Sequence, residues 1–176
     1  AYSWPSTMPK YAKEELTNEL QRLMTLLHVK TGVYNVETRL CTNGKPYIME
    51  LSPRGGGNRL SEMLRYITHT DLIDNAVLNA VGEKIEEIQQ PCYDGCLAEI
   101  ILHSDKSGIF RKLIIDKEFE KQFVIEKDLW VENGDKVEGF TGANKAIGTL
   151  ALHFSSHQEL EENVQYYKNK ITIIVD

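Results

Sequence analysis

The chain has 176 residues, 41% of them hydrophobic and 26% charged, and a formal net charge of -6. This balance suits a folded protein with a real core and excludes disordered or fibrous classes. It also argues against a nonspecific grip on nucleic acid, which needs clustered Lys and Arg, and no apolar run approaches the roughly 20 residues that cross a bilayer.

The first expected element is an amphipathic helix over residues 11–29, with Leu16, Leu20, Leu23, Met24 and Leu27 at helical spacing, Pro9 near its start and Gly32 just past its end. Two short strand-like runs follow, 33–41 and 46–51, separated by Thr42-Asn43-Gly44-Lys45. An Asn-Gly step between such runs predicts a hairpin. Ser52-Pro53-Arg54-Gly55-Gly56-Gly57 reads as a loop. Asn58 is expected to cap a helix running through Tyr66. Thr70 is expected to cap another, whose Leu72, Ile73, Ala76, Val77, Ala80 and Val81 make one apolar face ending at Gly82.

A linker is expected around Gln89-Gln90-Pro91. Beyond it the texture turns strand-like at 96–103, 109–115, 129–131, 149–154 and 171–175. One helix interrupts that half, opened by the capping-box spacing Ser156-His157-Gln158-Glu159, with Leu160, Val164 and Tyr167 facing inward. Cys41, Cys92 and Cys96 match no zinc ligand set and read as reduced thiols; the five histidines read as structural or exposed. Residues 1–15 lack a signal-peptide core, so a cytoplasmic protein is expected, and a first residue other than Met suggests processing or a cut fragment.

In a hairpin closed by a two-residue Asn43-Gly44 turn, paired positions sum to 87, so Glu37 faces Glu50. Like charges opposed across strands are destabilising, and a hard divalent cation offsets them. The same register puts Tyr34, Val36, Thr38, Leu40, Tyr47, Met49 and Leu51 on a core face and the two acids on a polar face with Asn35 and Arg39. A plainer alternative is a solvated face on which Arg39 neutralises one acid. The glycine loop brings Arg54 and bare backbone amides to the same edge, where they either bind an anion or simply form a turn before a helix.

Residues 32–37, Gly-Val-Tyr-Asn-Val-Glu, followed by residues 43–54, Asn-Gly-Lys-Pro-Tyr-Ile-Met-Glu-Leu-Ser-Pro-Arg, resemble the metal-binding hairpin of the ATP-grasp superfamily. In that family an acid on one strand and a Glu on the next hold magnesium on ATP, and the second Glu opens Glu-x-Asn-x-Arg. The resemblance implies Glu37 and Glu50 as metal ligands and Arg54 as a catalytic residue, with Ser52 where the family has an Asn ligand. It also implies Asn35, Gly55, Gly56 and Gly57 as cofactor contacts. The implied fold is α+β: residues 1–88 form the C-terminal lobe of an ATP-grasp domain, an antiparallel sheet with helices, and 89–176 a small β-rich domain. The implied activity is that of an ATP- and Mg-dependent ligase, carbamoyl phosphate synthetase-like or biotin carboxylase-like, that activates a carboxylate as an acyl phosphate for attack by an amine or other nucleophile. Its partners would be ATP, a small carboxylate and the N-terminal lobes absent here, with a homodimer allowed, and this piece alone would be inactive. The alternative is a noncatalytic module that binds a nucleotide, metal or protein. Composition and motifs do not name the carboxylate or the acceptor.

Overall fold

A computed structural model of the protein describes residues 2–85 and 93–176. The expected linker at Gln89-Gln90-Pro91, the domain boundary at 88/89 and Cys92 lie outside the described residues. The chain divides into two compact units, Ser6–Pro91 and Ala1–Pro5 with Cys92–Asp176. Both combine antiparallel strands with helices, an α+β architecture.

Strand β1 (Tyr2–Trp4) belongs to the second unit, where it lies along β4 (Cys96–Leu102) with Ser3 opposite Ala98. In the first unit, α1 (Lys10–Leu26) packs against the hairpin of β2 (Asn35–Leu40) and β3 (Pro46–Ser52). The helix stops well before Gly32. His28 takes the left-handed conformation (φ 49) that lets the amides of His28 and Val29 reach the carbonyls of Thr25 and Met24, so the last turn closes on itself. Helices α2 (Leu60–Thr68) and α3 (Leu72–Ala80) follow the loop.

Two expected caps move. Asn58 and Arg59 both have positive φ (51 and 61), so α2 starts two residues later than expected and has no side-chain cap bond. Thr70 does not cap α3. Asp71 does, its carboxylate accepting from the amides of Ile73 and Asp74 at 3.0 Å each. Gly82 (φ 79) ends α3 as expected, with the Glu83 amide on the Leu78 carbonyl. The apolar face of α3 is a further correction: Ile73, Ala76, Val77, Ala80 and Val81 are exposed, while Asn75 is buried. Periodicity identified the stripe but could not say that nothing in this unit covers it.

The second unit holds β4, β5 (Gly108–Ile115), α4 (Lys117–Phe123), β6 (Val124–Leu129), β7 (Lys136–Val137), β8 (Gly148–Phe154), α5 (His157–Val164) and β9 (Ile171–Val175). Its sheets run β1-β4-β8-β6 and β7-β5-β9. Strands β4 and β8 are buried at nearly every position, which is why Cys96–Leu102 and Gly148–Phe154 read as near-continuous apolar runs rather than alternating ones. Their side chains join Phe110, Phe119, Phe123, Leu160 and Val175 in one core, with Phe123 stacked 4.8 Å from Phe154. The strand expected at 129–131 lies earlier, ending at Leu129, and α4 was not expected: Asp116 caps it through the Phe119 amide at 3.0 Å. Ser156 caps α5 as expected, accepting from the Glu159 amide at 3.2 Å. Cys41 and Cys96 are free thiols, and burial pushes the Cys96 thiol up. Among the described residues no helix is long and apolar enough to cross a membrane.

Candidate functional site

The hairpin pairs Glu37 with Glu50, but not by the turn expected from its sequence. The closing pair is Cys41 with Lys45, whose carbonyl accepts from the Cys41 amide at 3.0 Å, and Gly44 N–H returns to the Cys41 carbonyl at 2.9 Å. The loop therefore has three residues, Thr42-Asn43-Gly44, and Gly44 (φ 77) supplies the left-handed step that such loops need. Near the loop, partners sum to 86: Leu40 faces Pro46, Arg39 faces Tyr47 and Thr38 faces Ile48. A bulge between Glu37 and Thr38 then adds one residue on β3, and the sum becomes 87 for Glu37–Glu50, Val36–Leu51 and Asn35–Ser52.

Met49 is the extra residue. It and Glu50 both stand opposite Glu37 and both are exposed, Met49 by 60%. The expected core face is corrected accordingly: Tyr47 and Met49 point to solvent, while Val36, Thr38, Leu40, Pro46, Ile48 and Leu51 are the more buried positions. Pro46 and Ile48 line one groove with Leu16 and Leu23 of α1, whose Tyr11 hydroxyl donates to the Gly44 carbonyl at 3.2 Å.

On the outer face the acids have company of the right kind. Ser52 Oγ donates to Glu50 Oε1 at 2.6 Å, fixing that carboxylate's rotamer. Asn35 lies opposite Ser52. The glycine loop folds back over this end of the hairpin: a Cβ on Gly56 would come within 3.0 Å of Asn35 Oδ1 and closer still to Leu60, so glycine permits the approach. Arg54 is tied to the strand end by its amide on the Ser52 carbonyl at 2.8 Å, and Nη1 donates to the Gly55 carbonyl at 2.8 Å. The structure thus brings Asn35, Glu37, Glu50, Ser52 and Gly56 together at one end of the hairpin. Gly55 and Arg54 lie on the adjoining loop, and Gly57 is open to solvent.

Among the described residues, neither Glu37 nor Glu50 has a cationic side chain within 4.0 Å, and Arg39 pairs across to Tyr47 instead of neutralising an acid. Nor do three or more His, Cys, Asp or Glu side chains gather anywhere to hold a metal unaided. Two opposed, exposed carboxylates without a counter-ion do fit Mg²⁺, which takes one or two carboxylates and completes its shell with water and substrate phosphate. Sequence reasoning missed Met49, whose side chain the bulge turns onto the acids' face; no local signal marks it.

No family model matches the chain. Carnosine synthase 1 of Gallus gallus is 34% identical over 82 residues, 47% of this chain and 9% of that protein. The L-amino acid ligase of Bacillus licheniformis has a similar structure, with a TM-score of 0.83 at 20% identity, over 99% of this chain and 44% of the ligase. The biotin carboxylase domain of Hydrogenobacter thermophilus 2-oxoglutarate carboxylase, solved as a domain dimer with MgADP, ADP and bicarbonate, gives a TM-score of 0.71 at 14% identity, over 98% of this chain and 38% of that one. The chain therefore spans less than half the length of each of these proteins. Over nearly its own whole length it has the fold of part of an ATP-grasp enzyme.

Proposed function

We propose that the chain is the C-terminal part of an ATP- and Mg-dependent ligase that activates a carboxylate as an acyl phosphate for attack by an amine or other nucleophile, with a carbamoyl phosphate synthetase-like arrangement. Residues 1–88 are the lobe carrying the metal hairpin and 89–176 the small C-terminal domain. The observation that carries this reading is the unneutralised pairing of Glu37 with Glu50 on an exposed strand face. Opposed acids cost stability, and a cation shared between them offsets that cost.

In this reading Glu37 and Glu50 each present a carboxylate oxygen to Mg²⁺, and Ser52 orients Glu50 through its 2.6 Å hydrogen bond. Asn35 and the amides of Gly55, Gly56 and Gly57 contact the nucleotide. Arg54 has guanidinium donors beyond the one spent on Gly55, and these grip a carboxylate or phosphate in a fork that lysine does not reproduce. Mg²⁺, when bound with ATP, neutralises charge on the phosphates during transfer. The remaining lobes of the ligase supply the other half of the nucleotide cleft, so the chain alone releases phosphate from ATP only at background. A noncatalytic nucleotide-binding module is the second reading, favoured for the isolated chain by its 44% coverage of the ligase.

The test is calorimetric titration of the chain with ADP in the presence and absence of Mg²⁺. Binding should depend on Mg²⁺ and weaken at least about tenfold in both Glu37→Gln and Glu50→Gln, the loss of one charged ligand being worth about 1.4 kcal/mol or more. Undiminished Mg-dependent binding in both variants would remove the acids from the metal site.

A further inference from the structure

Beside Arg54 runs a groove of about 490 Å³, within the size range of small-molecule sites. Its long wall is the exposed stripe of α3, Ile73, Ala76, Val77 and Ala80, and Val33 and Pro53 also line it. Among the described residues lining it, Arg54 carries the sole charge, Ser61 and Asn79 are the other polar side chains, and no acid contributes. That is unusual placement in a chain of net charge -6.

Arg54 has no carboxylate within 4.0 Å among the described residues, and its Nη1 contact to Gly55 turns the side chain along the loop that also lines the groove. The groove is therefore an apolar trough with a positive end. Free phosphate or a metal-nucleotide would meet the charge but leave the trough empty. A purely apolar ligand would fill the trough and leave the guanidinium unmatched.

We infer that this groove selects the ligase's carboxylate substrate: Arg54 holds the carboxylate and the α3 wall takes an apolar side chain of about the size of leucine or phenylalanine. The inference rests on the proposed ligase reading and adds to it the class of substrate. It also gives the exposed stripe of α3 a use. Val77 stands mid-wall, 56% exposed, and no residue of the unit packs over it well enough to exclude a ligand. Removing Ile73 and Val77 from water against a side chain supplies the apolar part of affinity, and the guanidinium fork supplies the polar part.

The experiment uses the whole chain, labelled with ¹⁵N, and follows amide shifts during separate titrations with L-leucine, L-phenylalanine, leucinamide, L-alanine, inorganic phosphate and MgADP. Leucine and phenylalanine should shift the amides of residues 72–80 and Gly55. Leucinamide, which lacks the carboxylate, and alanine, which lacks the tail, should each bind at least about tenfold more weakly. Val77→Asp should abolish leucine binding, and Val77→Thr, near-isosteric and safe for folding, should weaken it several-fold.

Equal binding of leucine and leucinamide overturns the role of Arg54, and inorganic phosphate shifting the same amides as strongly as leucine overturns the choice of a carboxylate. If the wild-type chain self-associates through residues 72–80 and leucine does not compete, the stripe belongs to a second copy and the inference fails. MgADP binding without leucine or phenylalanine binding overturns the groove and leaves the nucleotide site standing. Leucine binding without MgADP binding removes the nucleotide reading, and with it the identification of the ligand as a ligase substrate.

Discussion

In the β-rich unit sixteen buried apolar residues form one continuous cluster, whereas the unit carrying the hairpin buries only Ala12, Met63 and Ile67 among its described apolar residues. The first has strands covered on both faces. The second has a two-stranded sheet, an arrangement of marginal stability by itself, and helices that leave Leu26, Leu27, Val77 and Val81 facing water. The chemistry-bearing residues all lie on the weaker unit. Regions that bind ligands and move are drawn from the low-stability end of a protein, and here that end is separable by its burial alone.

The largest test of this contrast is Phe154→Ala. Phe154 is 1% exposed and stacks on Phe123, so its removal should cost about 3–5 kcal/mol in a denaturant melt. A loss under about 1 kcal/mol would mean that the cluster is not the main source of stability. Met63→Ala comes next, with about 2–3 kcal/mol expected from a residue 1% exposed. Hydrogen exchange should show that opening confined to residues 10–82, and protection lost equally in β4 and β8 would dissolve the distinction between the units.

The acid pair gives a smaller effect of opposite sign. Glu50→Gln keeps the shape and removes one of two opposed charges, so without metal it should raise stability by roughly 0.2–1 kcal/mol. The same variant should lose Mg-dependent ADP binding. A metal-free melt that falls would show that the acids do not repel one another in the folded hairpin.

Smallest is the acid response of α3. The Asp74 amide, and after it the Arg65 guanidinium, hold the Asp71 carboxyl below its ordinary value of 3.8. A group depressed in the folded state stabilises above its unfolded pKa and loses that contribution as pH falls through the folded value. Exchange protection in α3 should therefore be constant from neutral pH down to about 3.8 and decline below it, and in Asp71→Asn that acid-dependent part should vanish. In α5, the Ser155 hydroxyl and then its amide hold Glu159 below its ordinary value of 4.5 in the same way, but Leu160 anchors that helix in the core and its protection should outlast that of α3.

Much of the β-rich unit was legible because β4, β5, β8 and β9 are long runs of strand-forming residues, and α5 because Ser156 and Glu159 sit at cap spacing. Strand β1 is three residues, too short for any period, and its partner lies more than ninety residues away. Helix α4 offers only Phe119 and Phe123 as an apolar pair; Asp116 was the available sign of its start. In the hairpin the pairing of Glu37 with Glu50 was reached through two one-residue differences that cancel: a loop longer by one than an Asn-Gly turn, and a bulge that restores the register. The α3 stripe shows the converse. Its periodicity was plain, but burial is a property of what surrounds a helix, which a helix's own residues do not encode.

The bulge at Met49 also bears on how such sites are found. Removing that residue would leave Ile48 facing Thr38 and Glu50 facing Glu37, now in an unbroken ladder and one residue nearer in sequence. Two chains whose acids differ in spacing by one can therefore hold the same pair in space, one with the extra residue looped out and one without it. A pattern written with a fixed interval between the acids would treat the second chain as a non-match. An alignment that opens its gap at the turn, the usual place for a gap, would pair the wrong residues along half of each strand. The gap belongs inside the strand, beside the acid.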